Sequence, residues 1–132
     1  MQLPDDVLNG RKILIVDDDP RNVFALTSYL EMLGMQILTS VNGYEAIMTM
    51  KQDSTIDVVL MDMMMPEMDG YETIGKIRQD DKISKVPIIA VTARAMKGDR
   101  EKCLDAGADE YVSKPVSMQE LLAKMANCLT TT

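Results

Sequence analysis

The strongest constraint on this chain is an alternation. Five short apolar runs are separated by longer stretches of helical period. The runs fall at 13–16 (ILIV), 35–38 (MQIL), 58–61 (VVLM), 88–91 (IIAV) and, more briefly, 111–112 (YV). Their length and β-branched content predict strands, and their unbroken apolarity predicts strands buried on both faces. The intervening segments carry helix signals. Asp19-Pro20 supplies an N-cap with proline at the first helical position, after which Val23, Leu26, Leu30 and Leu33 recur at helical spacing until Gly34 stops the helix. Asn42-Gly43 opens a second helix, with Ala46, Ile47 and Met50 on one face. Asp69 with Glu72, and Ser117 with Glu120, have capping-box spacing ahead of apolar periods. A further helix is expected over 98–106, ended by Gly107.

Five strands, each followed by a helix, predict an α/β fold: a doubly wound (βα)5, flavodoxin-like domain. Its five-stranded parallel sheet would run in the order 2-1-3-4-5 with helices on both faces. The 132 residues suit one domain, expected over 11–129, with tails at 1–10 and 130–132.

Composition removes several function classes. A net charge of −7 opposes general binding to nucleic acid or to an anionic membrane. The first eleven residues lack the basic start and apolar stretch of a signal peptide, so the expected location is cytoplasmic. Cys103 and Cys128 have no CxxC spacing and read as small hydrophobes in a reducing compartment. The absence of histidine removes His-based acid–base catalysis, His metal ligation and an autophosphorylating His from this stretch of chain. Thirteen methionines against one phenylalanine and no tryptophan are mostly placed where an unbranched thioether fills core gaps.

The informative polar residues sit at the carboxyl ends of the expected strands: Asp17-Asp18 after the first, Asp62 after the third, Thr92 after the fourth, and Ser113-Lys114-Pro115 after the fifth. Ligands of open α/β sheets bind outside those ends, where the strand order reverses, and strands one and three flank that point. Three carboxylates gathered there repel one another and favour a cation. Oxygen-only ligands select a hard ion, and Mg²⁺ is the usual choice when a phosphate shares the site. Lys114 and the Thr92 hydroxyl would face an incoming anion. That set suits phosphoryl transfer, with one carboxylate as nucleophile and the others holding metal. Singly, each residue has a plainer role: Asp19 is a cap, Lys114-Pro115 a surface turn, Thr92 a structural strand end. The agreement of four strand ends is what favours the chemistry. No GxxxxGK[ST] loop is present, and DDDP stands where a dinucleotide fingerprint would place glycines.

At these residues the chain resembles the receiver domains of two-component response regulators. The resemblance runs through ILIVDDDP (13–20), VVLMDMMMPEMDG (58–70), PIIAVTARA (87–95) and AGADEYVSKPV (106–116), in this order and spacing. It implies that Asp62 is the phospho-acceptor and that Mg²⁺ is held by Asp18 directly, Asp17 mostly through water, Asp62, and the backbone carbonyl of Met64. It implies that Thr92 and Lys114 bind the phosphoryl group, that Tyr111 is an aromatic switch moving with Thr92, and that Lys114–Pro115 is a cis peptide. The implied partners are a histidine kinase or a histidine phosphotransfer protein, with the helix 4–strand 5–helix 5 surface as output and as a candidate homodimer face. DDDPRNVFALTSYLE and TARAMKGDREKCLDAGADEYVSKPV are most like receivers attached to hybrid sensor histidine kinases, though a stand-alone receiver remains open. Met64 is expected to overlook the phosphoryl group and screen it, with Arg94 as its neighbour across the entrance. Two rivals compete. A Mg-dependent aspartate-nucleophile phosphatase of the haloacid-dehalogenase type expects an acid two residues after the nucleophile, where Met64 stands. A degenerate receiver acting only as a binding module predicts loss of Asp18, Asp62 or Lys114, and all three are present.

Overall fold

In the computed structural model, which describes residues 7–93 and 98–130, the runs form a parallel sheet. Its strands are β1 (Lys12–Val16), β2 (Gln36–Ser40), β3 (Val58–Asp62), β4 (Ile88–Thr92) and β5 (Glu110–Ser113), in the expected order β2-β1-β3-β4-β5. The helices are α1 (Pro20–Met32), α2 (Gly43–Gln52), α3 (Gly70–Gln79), α4 (Asp99–Ala106) and α5 (Met118–Thr130).

Strand pleating explains why the inner strands are continuously apolar. Alternate residues of β1, β3 and β4 point to opposite faces, and both faces are covered. Leu14, Val16, Val59, Met61, Ile88 and Ala90 pack under α2, α3 and α4 with Ala46, Met50, Ile74, Ile77 and Cys103. Ile13, Ile15, Val58, Leu60, Ile89 and Val91 pack under α1 and α5 with Leu26, Leu30, Leu121, Leu122 and Met125. Most methionines serve this core, including Met35, Met50, Met61, Met63, Met65, Met68 and Met125, whereas Met32, Met48 and Met64 are exposed. Cys103 is fully buried; Cys128 is only partly so.

The caps follow the local signals. Asp19 accepts from the Arg21 N–H, Asn42 from Glu45, Asp69 from Glu72 and Ser117 from Glu120. Each satisfies a helix-terminal donor that otherwise has no partner.

Three local expectations change. The second strand starts at Gln36, because Gly34 (φ 90°) closes α1 and the Met35 N–H is drawn back to the Leu30 carbonyl. Met35 instead plugs the core. β2 is also an edge strand with exposed and half-buried positions, so it is not covered on both faces. Finally, residues 7–10, assigned to a tail, are docked: Val7 and Leu8 are buried, and Gly10 N–H bonds the Gly34 carbonyl. At the other end α5 continues to Thr130. Among the described residues no helix is long and apolar enough to cross a membrane.

Candidate functional site

Register alone brings the strand-end residues together. Val16 pairs with Met61, so the next residues, Asp17 and Asp62, emerge side by side. Asp62 pairs with Val91, one residue before Thr92, and Thr92 pairs with Ser113, one residue before Lys114. The Lys114 N–H bonds the Thr92 carbonyl at 2.8 Å, which carries the register past the end of β5. The Lys114–Pro115 peptide that follows is cis.

Asp17, Asp62 and Lys114 continue the parity of Ile15, Leu60 and Val112, so they approach one another on the α1/α5 side of the sheet edge. Lys114 Nζ lies 3.7 Å from Asp62 Oδ2 and 3.8 Å from Asp17 Oδ2. Oxygens of Asp17, Asp18 and Asp62 all lie within 4.8 Å of one another. Asp17 and Asp62 are only 3% exposed, while Asp18 stands in solvent. Thr92 has the opposite parity and lines a second opening of about 470 Å³ on the α3/α4 side, with Met64, Asp69, Tyr71 and Lys102. The site is therefore a ridge of carboxylates with a cation on one flank and a hydroxyl on the other.

The backbone around Asp62 is held by its own hydrogen bonds. Asp62 Oδ1 accepts from the Met64 N–H at 2.9 Å, and the Met63 N–H bonds the Val91 carbonyl. Met63, Met65 and Met68 are buried and anchor the loop, while Glu67 takes a left-handed turn (φ 64°). Met64 projects outward, 48% exposed, at the mouth of the α3/α4 opening. Arg94, expected across the entrance, lies outside the described residues. Tyr111 lies opposite Ala90 on β5 and packs, half-buried, against the same core cluster as Ala90.

Two like charges this close carry an electrostatic cost. Burial, reinforced by the Asp62 carboxylate, pushes the Asp17 carboxyl from 3.8 up to about 6, against the pull of the Asp19 N–H and Lys114. The ionised form is thus disfavoured in the folded state. Its cost to stability is fully present above about pH 6, shrinks as pH falls, and vanishes below 3.8. Asp17→Asn retains an oxygen acceptor for the Asp19 N–H. It is expected to stabilise the metal-free domain above pH 6 by about 1–2 kcal/mol, discounted because the cleft opens to water. Urea unfolding of both forms across pH checks this; a gain that grew toward low pH would contradict it.

That cost is also the test of fit for a metal. Three oxygen ligands and no sulfur or imidazole suit a hard divalent cation, whose charge would relieve the crowding.

Reasoning from sequence gave no structural role to Gly70, the last residue of VVLMDMMMPEMDG. A Cβ there would lie 2.6 Å from Met63 Cα and 2.7 Å from the Asp62 carbonyl oxygen, so α3 can abut the acidic loop only because residue 70 has no side chain. It also missed Tyr71, whose hydroxyl is pushed up to about 12 by burial and by neighbouring Cys103, with Lys102 Nζ 4.8 Å from its ring centre. Gly70 carried a faint signal in its place beside a cap; the Tyr71 contacts are between helices and carried none.

Comparison with known proteins agrees with this geometry. Residues 13–126 match the response regulator receiver domain family. The chain is 37% identical to the sensor histidine kinase GacS of Pseudomonas protegens, over 89% of this chain but only 13% of that protein. It is 33% identical to the polar-differentiation response regulator DivK of Brucella anthropi, covering 90% of this chain and 96% of that one. Among solved structures, the receiver domain of the sensor histidine kinase PA1611 from Pseudomonas aeruginosa superposes with a TM-score of 0.84 at 35% identity, covering 92% of this chain and 99% of that one. That structure has a magnesium ion coordinated in its active-site cleft. Motif, register and similarity converge: this chain belongs to the response regulator receiver domain family of two-component signalling.

Proposed function

We propose that the domain accepts a phosphoryl group on Asp62, from a phosphohistidine on a histidine kinase or histidine phosphotransfer protein, with Mg²⁺ bound. The single observation that carries this is the placement of Asp62. It is a buried carboxylate at a strand end, 3.7 Å from a lysine and beside a second buried carboxylate, opening on a cleft on the α1/α5 side of the sheet edge. A carboxylate oxygen of Asp62 attacks phosphorus, the P–N bond of the donor breaks, and the imidazole leaves with that electron pair. Lys114 and the Thr92 hydroxyl meet the phosphoryl oxygens. Asp17, Asp18, Asp62 and the Met64 carbonyl would hold Mg²⁺, which supplies charge neutralisation for the transferred group. Thr92 then draws toward the new oxygens and Tyr111 moves into the space behind it, shifting the α4–β5–α5 surface between two populations. That surface is the one assigned to a downstream partner or a second copy. GacS-like and DivK-like relatives represent the two settings in which such a domain works, attached to a kinase or alone; the hybrid-kinase setting is preferred on the stretches 17–31 and 92–116. In either setting the domain would act in the cytoplasm.

The test is incubation with acetyl phosphate and Mg²⁺, read by intact mass and peptide mapping. One phosphoryl adduct on Asp62, which does not form when Mg²⁺ is chelated before the donor is added, is the expected result. No adduct from acetyl phosphate or from a phosphorylated histidine phosphotransfer protein leaves only a binding module.

The exposed Met64 side chain would shield the acyl phosphate from water. Met64→Asn, which can orient a water but cannot take its proton, is expected to speed autodephosphorylation by roughly 3- to 10-fold, well short of the ~10²–10⁴-fold of a general base. Phosphate release after removal of the donor measures it; unchanged or slower hydrolysis counts against the shield.

A further inference from the structure

The aromatic residue of the switch is held from outside by a residue to which no role has been given. Lys124, on α5, reaches around the edge strand β5 and places Nζ 5.2 Å from the centre of the Tyr111 ring. The same amine donates a hydrogen bond to the Tyr111 backbone carbonyl and lies 3.7 Å from Glu110 Oε1 and 3.9 Å from Glu120 Oε2. Its side chain is only 24% exposed, low for a lysine at a sheet edge.

The four contacts differ in what they depend on. The carbonyl belongs to the backbone of β5, and the two carboxylates sit on β5 and one turn away on α5, so none follows the Tyr111 rotamer. Only the ring contact does. Lys124 is therefore anchored by partners that do not turn with the ring, and its cation–π attraction falls on Tyr111 in the rotamer seen here. If the ring turns inward beside Thr92, the cation is left behind. An interaction present in one of two states biases the equilibrium toward that state.

We propose that Lys124 is a positioning residue that sets the resting equilibrium of the switch, holding Tyr111 in its half-exposed position and opposing activation until Asp62 is phosphorylated. This rests on the reading of Tyr111 as the moving aromatic. Removing the cation should favour the inward ring in the resting domain by about two- to fivefold, the range expected of a partly exposed cation–π contact. By linkage it should tighten binding of a phosphoryl mimic by the same factor.

The experiment uses the domain labelled with 3-fluorotyrosine, with the Tyr111 resonance assigned through Tyr111→Phe and titrated with beryllofluoride and Mg²⁺. Wild type, Lys124→Met, Lys124→Gln, Lys124→Arg and Glu120→Gln are compared. In both Lys124→Met and Lys124→Gln the resting ¹⁹F resonance should move toward the beryllofluoride-bound position, and half-saturation should fall two- to fivefold. Lys124→Arg, which keeps a cation, should restore the wild-type values, and Glu120→Gln should resemble wild type. If Tyr111 of the wild type does not respond to beryllofluoride, the switch reading fails and the proposal falls with it. If wild type responds but the uncharged variants share its resting resonance and its half-saturation, the switch stands and Lys124 has no part in it. A change in melting temperature alone, with neither readout moved, likewise assigns Lys124 to structure and overturns the proposal.

Discussion

Asp62→Asn is expected to remove the phosphoryl adduct entirely while leaving the domain folded. The substitution changes almost no volume. The amide oxygen can still accept from the Met64 N–H, so the loop after β3 keeps its anchor. What disappears is the nucleophile, together with one negative charge beside Asp17 and 3.7 Å from Lys114. An amide oxygen is too weak a nucleophile to carry the transfer. Metal affinity should also fall, because one of three clustered carboxylates is gone. Stability should not fall: the removal of like-charge repulsion offsets the loss of the Lys114 contact, an ion pair that is long and partly open to water. Intact mass after acetyl phosphate treatment, with circular dichroism as the folding control, decides the matter. Labelling equal to wild type would place the acceptor elsewhere and sink the proposed chemistry.

The second large effect is expected in α3, where two glycines should respond with opposite sign. Gly70→Ala is expected to cost about 3 kcal/mol, the upper end of overpacking, because two of the three atoms in the way, Met63 Cα and the Asp62 carbonyl oxygen, are backbone and cannot turn aside as the Met63 sulfur can. The neighbours displaced are the Met63 Cα and the Asp62 carbonyl, so labelling of Asp62 should slow along with the loss of stability. Gly75, five residues on in the same helix, has nothing within 4 Å of where a Cβ would stand. Gly75→Ala should therefore stabilise by about 0.5–1 kcal/mol, through helix propensity and a less flexible unfolded chain. Urea midpoints of the two variants against wild type measure both. A Gly70→Ala domain as stable as wild type would show that the loop after β3 yields, and that the close approach of α3 does not brace Asp62.

Much of this was legible in the sequence because the signals are local or periodic. Asp19, Asn42, Asp69 and Ser117 cap the helices they precede, since a cap satisfies donors two or three residues away. The doubly apolar runs of β1, β3 and β4 report burial on both faces, and doubly wound topology follows from their alternation with helices. The meeting of Asp17, Asp62 and Lys114 was legible as well, because a parallel sheet in this order brings those strand ends to one edge. The misreadings came where a local pattern had two outcomes. Met35 is as suitable for a core plug as for a strand, and the acidic start of the chain concealed the apolar Val7 and Leu8 that dock.

Other features were decided only by the fold. Arg78 bonds the carbonyls of Gly107, Ser84 and Val86 and the carboxylate of Asp109, tying together the loops before β4 and β5, yet in sequence it is one more charge on a surface helix. Gly70 became obligatory only when α3 met the end of β3, and Lys124 acquired the Tyr111 ring only when α5 docked beside the edge of the sheet. The sequence by itself determined the elements, the buried faces and the ends at which polar residues gather, because hydrophobic period and capping act over a few residues. The tertiary structure decided which side chains brace those residues. Such contacts join positions far apart in the chain, and they form only once the sheet has set the distance between them.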